Sequence, residues 1–291
     1  LNHFANKTVV ITGAASGIGA ALASAFAQAG ARLLLADVDV ARLEAVGQML
    51  RDQGATCLTQ VCDVTRADSL DRLAARASSD LGGADILINN AGVALVAPVQ
   101  SLDLADAHWL MDINFWGVVH GCQAFTPQLQ SRPGSAIVNL SSIFGMISLP
   151  TQSIYNASKA AVRAFSDALR EELRGTADKP SVQILCVHPG GIRTRLVEQA
   201  RLGDISAVAE SPQELHSQFR RMAGNSAEQA AAAILLALQR GQTRLLIGND
   251  AKFGDLLYRW GPTRASARFH ALMRWGQRLL RSGKAIQRQA R

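Results

Sequence analysis

The chain has 291 residues, 48% of them hydrophobic and 18% charged, a globular composition with ample material for a buried core. Its formal charge of +7 is unevenly placed: residues 251–291 hold ten Lys or Arg against one acid, a net of +9, while residues 1–250 hold 20 bases and 22 acids. The basic character therefore belongs to a C-terminal extension. With a slightly acidic body and no recognition motif, nucleic-acid binding is not expected.

The opening residues, LNHFANKTVVITG, run straight into a strand-like segment and lack a basic start and an apolar stretch, so no secretory signal is expected. Short apolar runs bounded by Gly, Asp, Asn or Pro then recur at 8–11, 32–36, 56–61, 85–89, 136–140, 183–188 and 244–247. Such runs read as strands buried on both faces of a parallel sheet. Segments of helical length lie between them, at 17–29, 41–53, 66–81, 104–130 and 153–174. This alternation predicts an α/β fold: a doubly wound parallel sheet of about seven strands, of Rossmann type, with helices on both faces. Residues 1–250 would form that domain. A polar, mixed insert at 193–225 would sit above the carboxyl ends of the strands, where ligands bind in such sheets.

The first strand leads into Thr12-Gly13-Ala14-Ala15-Ser16-Gly17-Ile18-Gly19. Glycines here permit a tight strand-to-helix turn and close approach of a pyrophosphate, and the helix N-terminus offers free N–H groups. Gly13, Ser16, Gly17, Ile18 and Gly19 are the candidate phosphate-binding residues. Asp37 ends the second strand, 18 residues beyond Gly19. Its carboxylate can accept from both ribose hydroxyls of an adenosine and would repel the extra phosphate of NADP. No basic residue follows it closely, so NAD is expected over NADP. Asp39 is the better cap for the next helix. Asp63 and Val64, after the third strand, and Asn90, Ala91 and Gly92, after the fourth, would line the rest of the groove.

The fifth strand ends at Ser141-Ser142, and Tyr155 and Lys159 follow four residues apart, on one helical face. A free tyrosine titrates near about 10, and a nearby ammonium favours the phenolate, so Lys159 is expected to draw Tyr155 downward. A phenolate can take a proton from an alcohol and a phenol can return one to a ketone. Ser142 could hold the substrate oxygen.

In their joint order and spacing, Thr12–Gly19, 89–92, Ser142, Tyr155 with Lys159, and Pro189-Gly190 with Thr194 resemble the short-chain dehydrogenase/reductase family, in its compact single-domain branch. The resemblance covers about residues 6–250. It implies that Ser142, Tyr155 and Lys159 are catalytic and that Asn114 holds a water in a proton relay. It implies further that Tyr155 and Lys159 also touch the cofactor, with Lys159 on the nicotinamide ribose. The turn carrying Pro189, Gly190, Ile192 and Thr194 would position the nicotinamide, the Ile192 backbone facing the carboxamide. Gly191 and Arg193 fill variable places, and Arg193 is given no role. A homo-dimer or homo-tetramer built on the segments 104–130 and 153–174 is implied as well.

The expected activity is hydride transfer between NAD and a secondary alcohol or ketone, with Tyr155 as general acid and base. Ile143, Phe144, Met146, Ile147 and Leu149 suggest a hydrophobic substrate, although ordinary loop packing would explain them equally. Residues 93–96, 143–151 and the insert after Thr194 are the expected pocket walls. Arg195 and Arg201 share the insert with acids and are read as a mixed surface. Cys57, Cys62, Cys122 and Cys186 lack CxxC spacing and read as reduced thiols of a cytoplasmic protein. The six histidines lack ligand spacing, so no metal site is expected. In the extension 251–291, a helix over 266–281 would set Phe269, Leu272, Met273, Gly276, Leu279 and Leu280 opposite Arg274, Arg278 and Arg281. That stripe fits docking on the protein itself or on a second subunit, or peripheral contact with an anionic membrane. The rival to an enzyme is a non-catalytic NAD-binding or membrane-associated scaffold acting through this basic tail.

Overall fold

The computed structural model describes residues 2–176, 180–206 and 208–272. Among them, one parallel sheet is built from β1 (Thr8–Thr12), β2 (Arg32–Asp37), β3 (Cys57–Val61), β4 (Ile86–Asn89), β5 (Ala136–Leu140), β6 (Gln183–Pro189) and β7 (Arg244–Ile247). The spatial order is β3-β2-β1-β4-β5-β6-β7. Chain direction across the sheet therefore reverses between β1 and β4, and a crevice opens there at the carboxyl ends of the strands. Neighbouring strands are in parallel register throughout, for example Val9 beside Leu33 and Ile88 beside Val138.

The central strands alternate between two cores, which is why their sequences read as apolar runs. Val9, Ile11, Leu33, Leu35, Ile88 and Val138 point to one face. There they meet α1 (Gly17–Gln28), α2 (Val40–Asp52) and α8 (Ala227–Gln239) through Phe26, Leu43 and Ile234. Val10, Leu34, Leu87, Ile137 and Ile184 point to the other face. There they meet α3 (Ala67–Leu81), α5 (Gly117–Gln130) and α6 (Ser153–Glu172) through Leu73, Phe125 and Val162. Asp39 caps α2, its Oδ1 accepting from Arg42 N at 3.1 Å.

The segment expected as one helix over 104–130 is a continuous rod with a defect. It begins as α4 (Leu104–Met111), widens into a π-helical turn over Asp112–Trp116, and resumes as α5. The extra residue in that turn re-aims Asn114, the one fully buried polar side chain in it.

The insert is tied to the body at both ends. Arg201–Leu202 pairs with Leu95–Val96, and Asn225–Ser226 pairs with Ile192–Arg193. Between them α7 (Pro212–Met222) lies over the carboxyl edge, capped by Ser211. Arg201 stacks 3.8 Å from the Trp109 ring centroid and bonds Asp106 at 2.6 Å, so it serves the insert's attachment.

After β7 come α9 (Asn249–Trp260) and a helix over 262–272. Ala251, Ala265 and Phe269 are buried against Ile143, Met146 and Ile147. Asp255 bonds Arg244 at 2.6 Å and Arg259 at 2.9 Å and fastens α9 to β7. Of the stripe expected over 266–281, Phe269 is docked on the protein's own core and Leu272 is exposed. Met273, Arg274, Gly276, Arg278, Leu279, Leu280 and Arg281 lie outside the described residues. Among the described residues, no helix is long and apolar enough to cross a membrane.

Candidate active site

The crevice between β1 and β4 opens into a cavity of about 710 Å³, within the range of small-molecule sites. One end is walled by the glycine turn. Gly13 and Gly17 both hold positive φ, 65° and 54°, so the chain can double back into α1. Gly19 sits behind the wall, where an added Cβ would lie 2.1 Å from Gly13 O. The turn is pinned across the crevice. Asn90 Nδ2 donates to Thr12 O at 3.0 Å and Gly13 O at 2.9 Å, and Thr12 Oγ1 accepts from Asn90 N and Ala91 N at 3.1 and 3.2 Å. The Asn90 side chain, expected along the groove, is thus engaged in holding the turn's shape. Ser16 at the α1 N-cap makes no side-chain cap bond, so the first N–H groups of α1 are left for a ligand at the lining residues Ser16, Gly17 and Ile18.

Asp37 stands at this end. Its Oδ2 accepts from Ala15 N and its Oδ1 from Asp39 N, both at 3.0 Å. Asp37 lines the cavity, and each of its oxygens can accept a further hydrogen bond. Asp63 also lines it, though its Oδ1 is turned onto Thr65 N and Oγ1, at 3.0 and 2.8 Å. The structure adds Arg42, which the sequence reading did not place here. One turn into α2, it reaches the same wall and pairs with Asp39 at 3.4 Å.

The other end collects the proton-transfer candidates. Ser142 follows β5, accepting from Phe144 N at 3.1 Å as cap of a short 3-10 turn. Tyr155 and Lys159, one turn apart on α6, are 8% and 5% exposed and both line the cavity. Burial pushes Tyr155 up to about 12, while a hydrogen bond with Ser142 pulls the other way. Burial likewise pushes Lys159 down to about 8. This corrects the expectation that Lys159 lowers Tyr155. The ammonium lies 5.8 Å from the Tyr155 ring centroid and donates to Leu140 O at 3.0 Å, and burial is the largest cause of the upward shift.

Asn114 lies just behind the wall. Its Oδ1 accepts from Val93 N at 2.8 Å and its Nδ2 donates to Val93 O at 3.0 Å. A methyl on Gly92 would come within 3.3 Å of Asn114 Oδ1 and 3.5 Å of Lys159 Nζ, so the two side chains flank one point. Behind them runs a buried chain that the sequence reading missed: Asn89 Nδ2 to Asn139 Oδ1 at 2.9 Å, and Asn139 Nδ2 to Ser166 Oγ at 3.0 Å. It ties β4, β5 and α6 together beneath the site.

Pro189, Gly190, Ile192 and Thr194 line the cavity between its two ends, and Thr194 closes on the glycine turn, 3.2 Å from where a Gly17 Cβ would stand. Arg193 points away and donates weakly to Ala223 O at 3.4 Å. The apolar set beside Ser142 divides. Ile143, Phe144 and Leu149 line the cavity, whereas Met146 and Ile147 pack under α9. Val93, Leu196, Leu215, Phe219 and Phe269 complete an apolar wall. Phe269 comes from the extension and Phe219 from the insert, and neither has a local motif that would mark it. The four cysteines are buried free thiols, and burial pushes Cys57 and Cys186 up to about 11 and Cys122 up to about 12.

A family model described as "short chain dehydrogenase" matches residues 7–204. The chain is 38% identical over 260 residues to "Putative oxidoreductase SadH" of Mycobacterium tuberculosis, covering 89% of this chain and 92% of that one. It is 37% identical over 196 residues to "11-beta-hydroxysteroid dehydrogenase A" of Sesamum indicum, covering 67% of this chain and 55% of that one. A solved short chain dehydrogenase/reductase from Burkholderia phymatum, in complex with NAD, matches with a TM-score of 0.76 at 29% identity, over 84% of this chain and 90% of that one. The chain belongs to the short-chain dehydrogenase/reductase family of nicotinamide-dependent oxidoreductases.

Proposed function

We propose that the protein transfers a hydride between NAD and an apolar secondary alcohol or ketone, with Tyr155 as general acid and base. The observation that carries this reading is one continuous cavity. It is lined at one end by a glycine turn and an uncapped helix N-terminus, and at the other by Ser142, Tyr155 and Lys159. A dinucleotide fits the donors present. The α1 N-terminus would hold the pyrophosphate, Asp37 the adenosine ribose, and the turn at Pro189–Ile192 the nicotinamide end. Bound there, NAD would supply the hydride acceptor and a positively charged ring.

In the oxidative direction the alcohol oxygen would sit between the Ser142 and Tyr155 hydroxyls. Tyr155 would take its proton as the carbinol carbon loses hydride. A phenol held near 12 would not ionise by itself at neutral pH, so it needs positive charge beside it, and the Lys159 ammonium stands 5.8 Å from its ring centroid. Lys159, held near 8, exchanges protons readily at neutral pH. With Asn114 at the same point beside Gly92, it offers a route for the proton toward solvent.

Asp37 supports NAD over NADP, because a 2′-phosphate would meet its carboxylate. Arg42 at that wall is already paired with Asp39. The walls of Phe144, Leu149, Leu215, Phe219 and Phe269 support an apolar substrate, and the hydroxysteroid relative points the same way. The test is a spectrophotometric screen of NAD reduction over secondary alcohols graded in size and polarity. Turnover rising with apolar size is expected. NAD binding with neither reduction of NAD by any alcohol nor oxidation of NADH by any ketone would favour the scaffold reading.

A further inference from the structure

The two helices after β7 have inner faces that are fully accounted for. Ala251, Ala265 and Phe269 are buried on Ile143, Met146 and Ile147, and a Cβ on Gly254 would already touch Ile143 at 2.9 Å. The outer face of α9 is different. At 100° per residue, Phe253, Leu256 and Trp260 fall within an arc of about 60° on the side opposite Ala251. They are 41%, 51% and 82% exposed, a contiguous apolar stripe with no cover among the described residues.

The rim of this stripe is mainly basic. Lys252 and Arg259 border it on α9, and Arg264 and Arg268 stand exposed on the next helix. α9 carries two acids, and both are engaged: Asp250 accepts from Gly191 N, and Asp255 is shared between Arg244 and Arg259. Residues 273–291 add six Lys or Arg and no acid. A second copy of the stripe would bring its own basic rim, and residues 273–291 would bring more positive charge. An anionic headgroup layer is attracted by all of it, and it accepts Trp and Phe at its apolar boundary.

We propose that the outer face of α9, with Lys252, Arg259, Arg264 and Arg268 around it, docks on the surface of an anionic phospholipid bilayer. The stripe lies one helix thickness from the substrate wall, since Phe269 and Ile143 belong to both the buried cluster under α9 and the cavity lining. Docking would therefore hold the apolar cavity beside lipid, where apolar alcohols and ketones dissolve. Only this delivery rests on the activity proposed above. The docking itself stands on the surface.

The test uses the full chain, sedimented with phosphatidylcholine vesicles with and without phosphatidylserine. Pelleting is expected only with phosphatidylserine, and it should fade at high salt. Trp260→Glu should weaken it at least tenfold. The pair Lys252→Gln and Arg264→Gln should weaken it about 25-fold, each base near an anionic surface being worth about fivefold. All these positions are exposed, so an unchanged melting temperature and unchanged turnover of a water-soluble alcohol separate docking from folding and chemistry. Equal pelleting of Trp260→Glu and the parent chain would overturn the proposal. So would light scattering in which Trp260→Glu splits a dimer while no chain pellets, because the stripe would then join two copies.

A second inference stands on a separate contact. Asp250 Oδ2 accepts from Gly191 N at 2.6 Å. A Cβ on Gly190 would meet both Asp250 oxygens at 2.2 Å, and one on Gly248 would meet Oδ1 at 2.4 Å. The carboxylate is wedged between two glycines and supports the turn that leads to Ile192. We infer that Asp250 is a positioning residue for the nicotinamide end of the cofactor, which rests on the NAD reading. Asp250→Ala should lower kcat about tenfold with an unchanged melting temperature. Asp250→Asn, which keeps an accepting oxygen, should restore most of that loss. If the parent chain binds NAD and Asp250→Ala matches it in both Kd and kcat, the inference fails. If the parent chain does not bind NAD, the activity reading fails first.

Discussion

Lys159 carries a stability cost that its removal should reveal. The side chain is 5% exposed, and its ammonium donates to Leu140 O at 3.0 Å. Burial moves it from an ordinary value of 10.5 to about 8, a displacement that corresponds to roughly 3 kcal/mol by linkage. Lys159→Met keeps the length of the side chain and removes the charge, but it strands the Leu140 carbonyl at a cost of about 1–3 kcal/mol. The balance predicts a variant up to about 2 kcal/mol more stable than the parent at pH 7. The sign follows from the depressed folded value. The penalty is complete below about 8 and disappears as pH rises toward 10.5, so the parent regains ground across that window. Tyr155 shifts in both chains and cancels in the difference. Urea denaturation of both chains at pH 7 and pH 10 reads it directly. A Lys159→Met chain that is less stable at pH 7, by a margin independent of pH, would refute the reasoning.

Three further outcomes follow. Asp37→Ser should lower kcat/KM with NAD by about ten- to a hundredfold, since hydrogen bonds to a charged acceptor are worth about 1.5–3 kcal/mol, and it should relax discrimination against NADP. An unchanged coenzyme ratio would remove Asp37 from cofactor choice. Gly19→Ala would place a Cβ 2.1 Å from Gly13 O and 2.6 Å from Asn90 Nδ2, so fluorescence titration should show NADH affinity falling at least about tenfold while circular dichroism is retained. Burial holds His188 down at about 4, against an ordinary 6.5, so its contribution is complete above 6.5 and lost as pH falls through about 4. His188→Gln should therefore flatten roughly 3 kcal/mol of the acid-side loss in urea midpoints between those pH values, and an unaltered acid limb would contradict it.

The sheet was legible because strands buried on both faces leave a plain mark. Val9, Val10 and Ile11 are all apolar, although they serve two cores. The glycine turn was legible because backbone approach excludes side chains at Gly13 and Gly19. Other features depend on contacts distant in sequence. Nothing in Asp112-Ile113-Asn114-Phe115-Trp116 breaks helical periodicity, so the π turn that aims Asn114 at Val93 appears only in three dimensions. Arg42 has no local motif, and it lines the cavity only because α2 carries it to that wall. Phe269 and Asp250 reach the site from more than 90 residues beyond Tyr155. The direction of the Tyr155 shift was misread because residue spacing reports the proximity of charge, whereas burial is set by the packed walls around it.

The central claim is that Tyr155 moves the proton while NAD exchanges the hydride. Tyr155→Phe removes one oxygen from a ring that packs edge-on against Phe144, at 6.5 Å between centroids, so the wall should survive. The decisive measurement is turnover and NAD affinity of this variant on the best alcohol from the screen. The account predicts NAD affinity within about twofold of the parent and kcat lowered by about a hundredfold or more. Full turnover in Tyr155→Phe would contradict it.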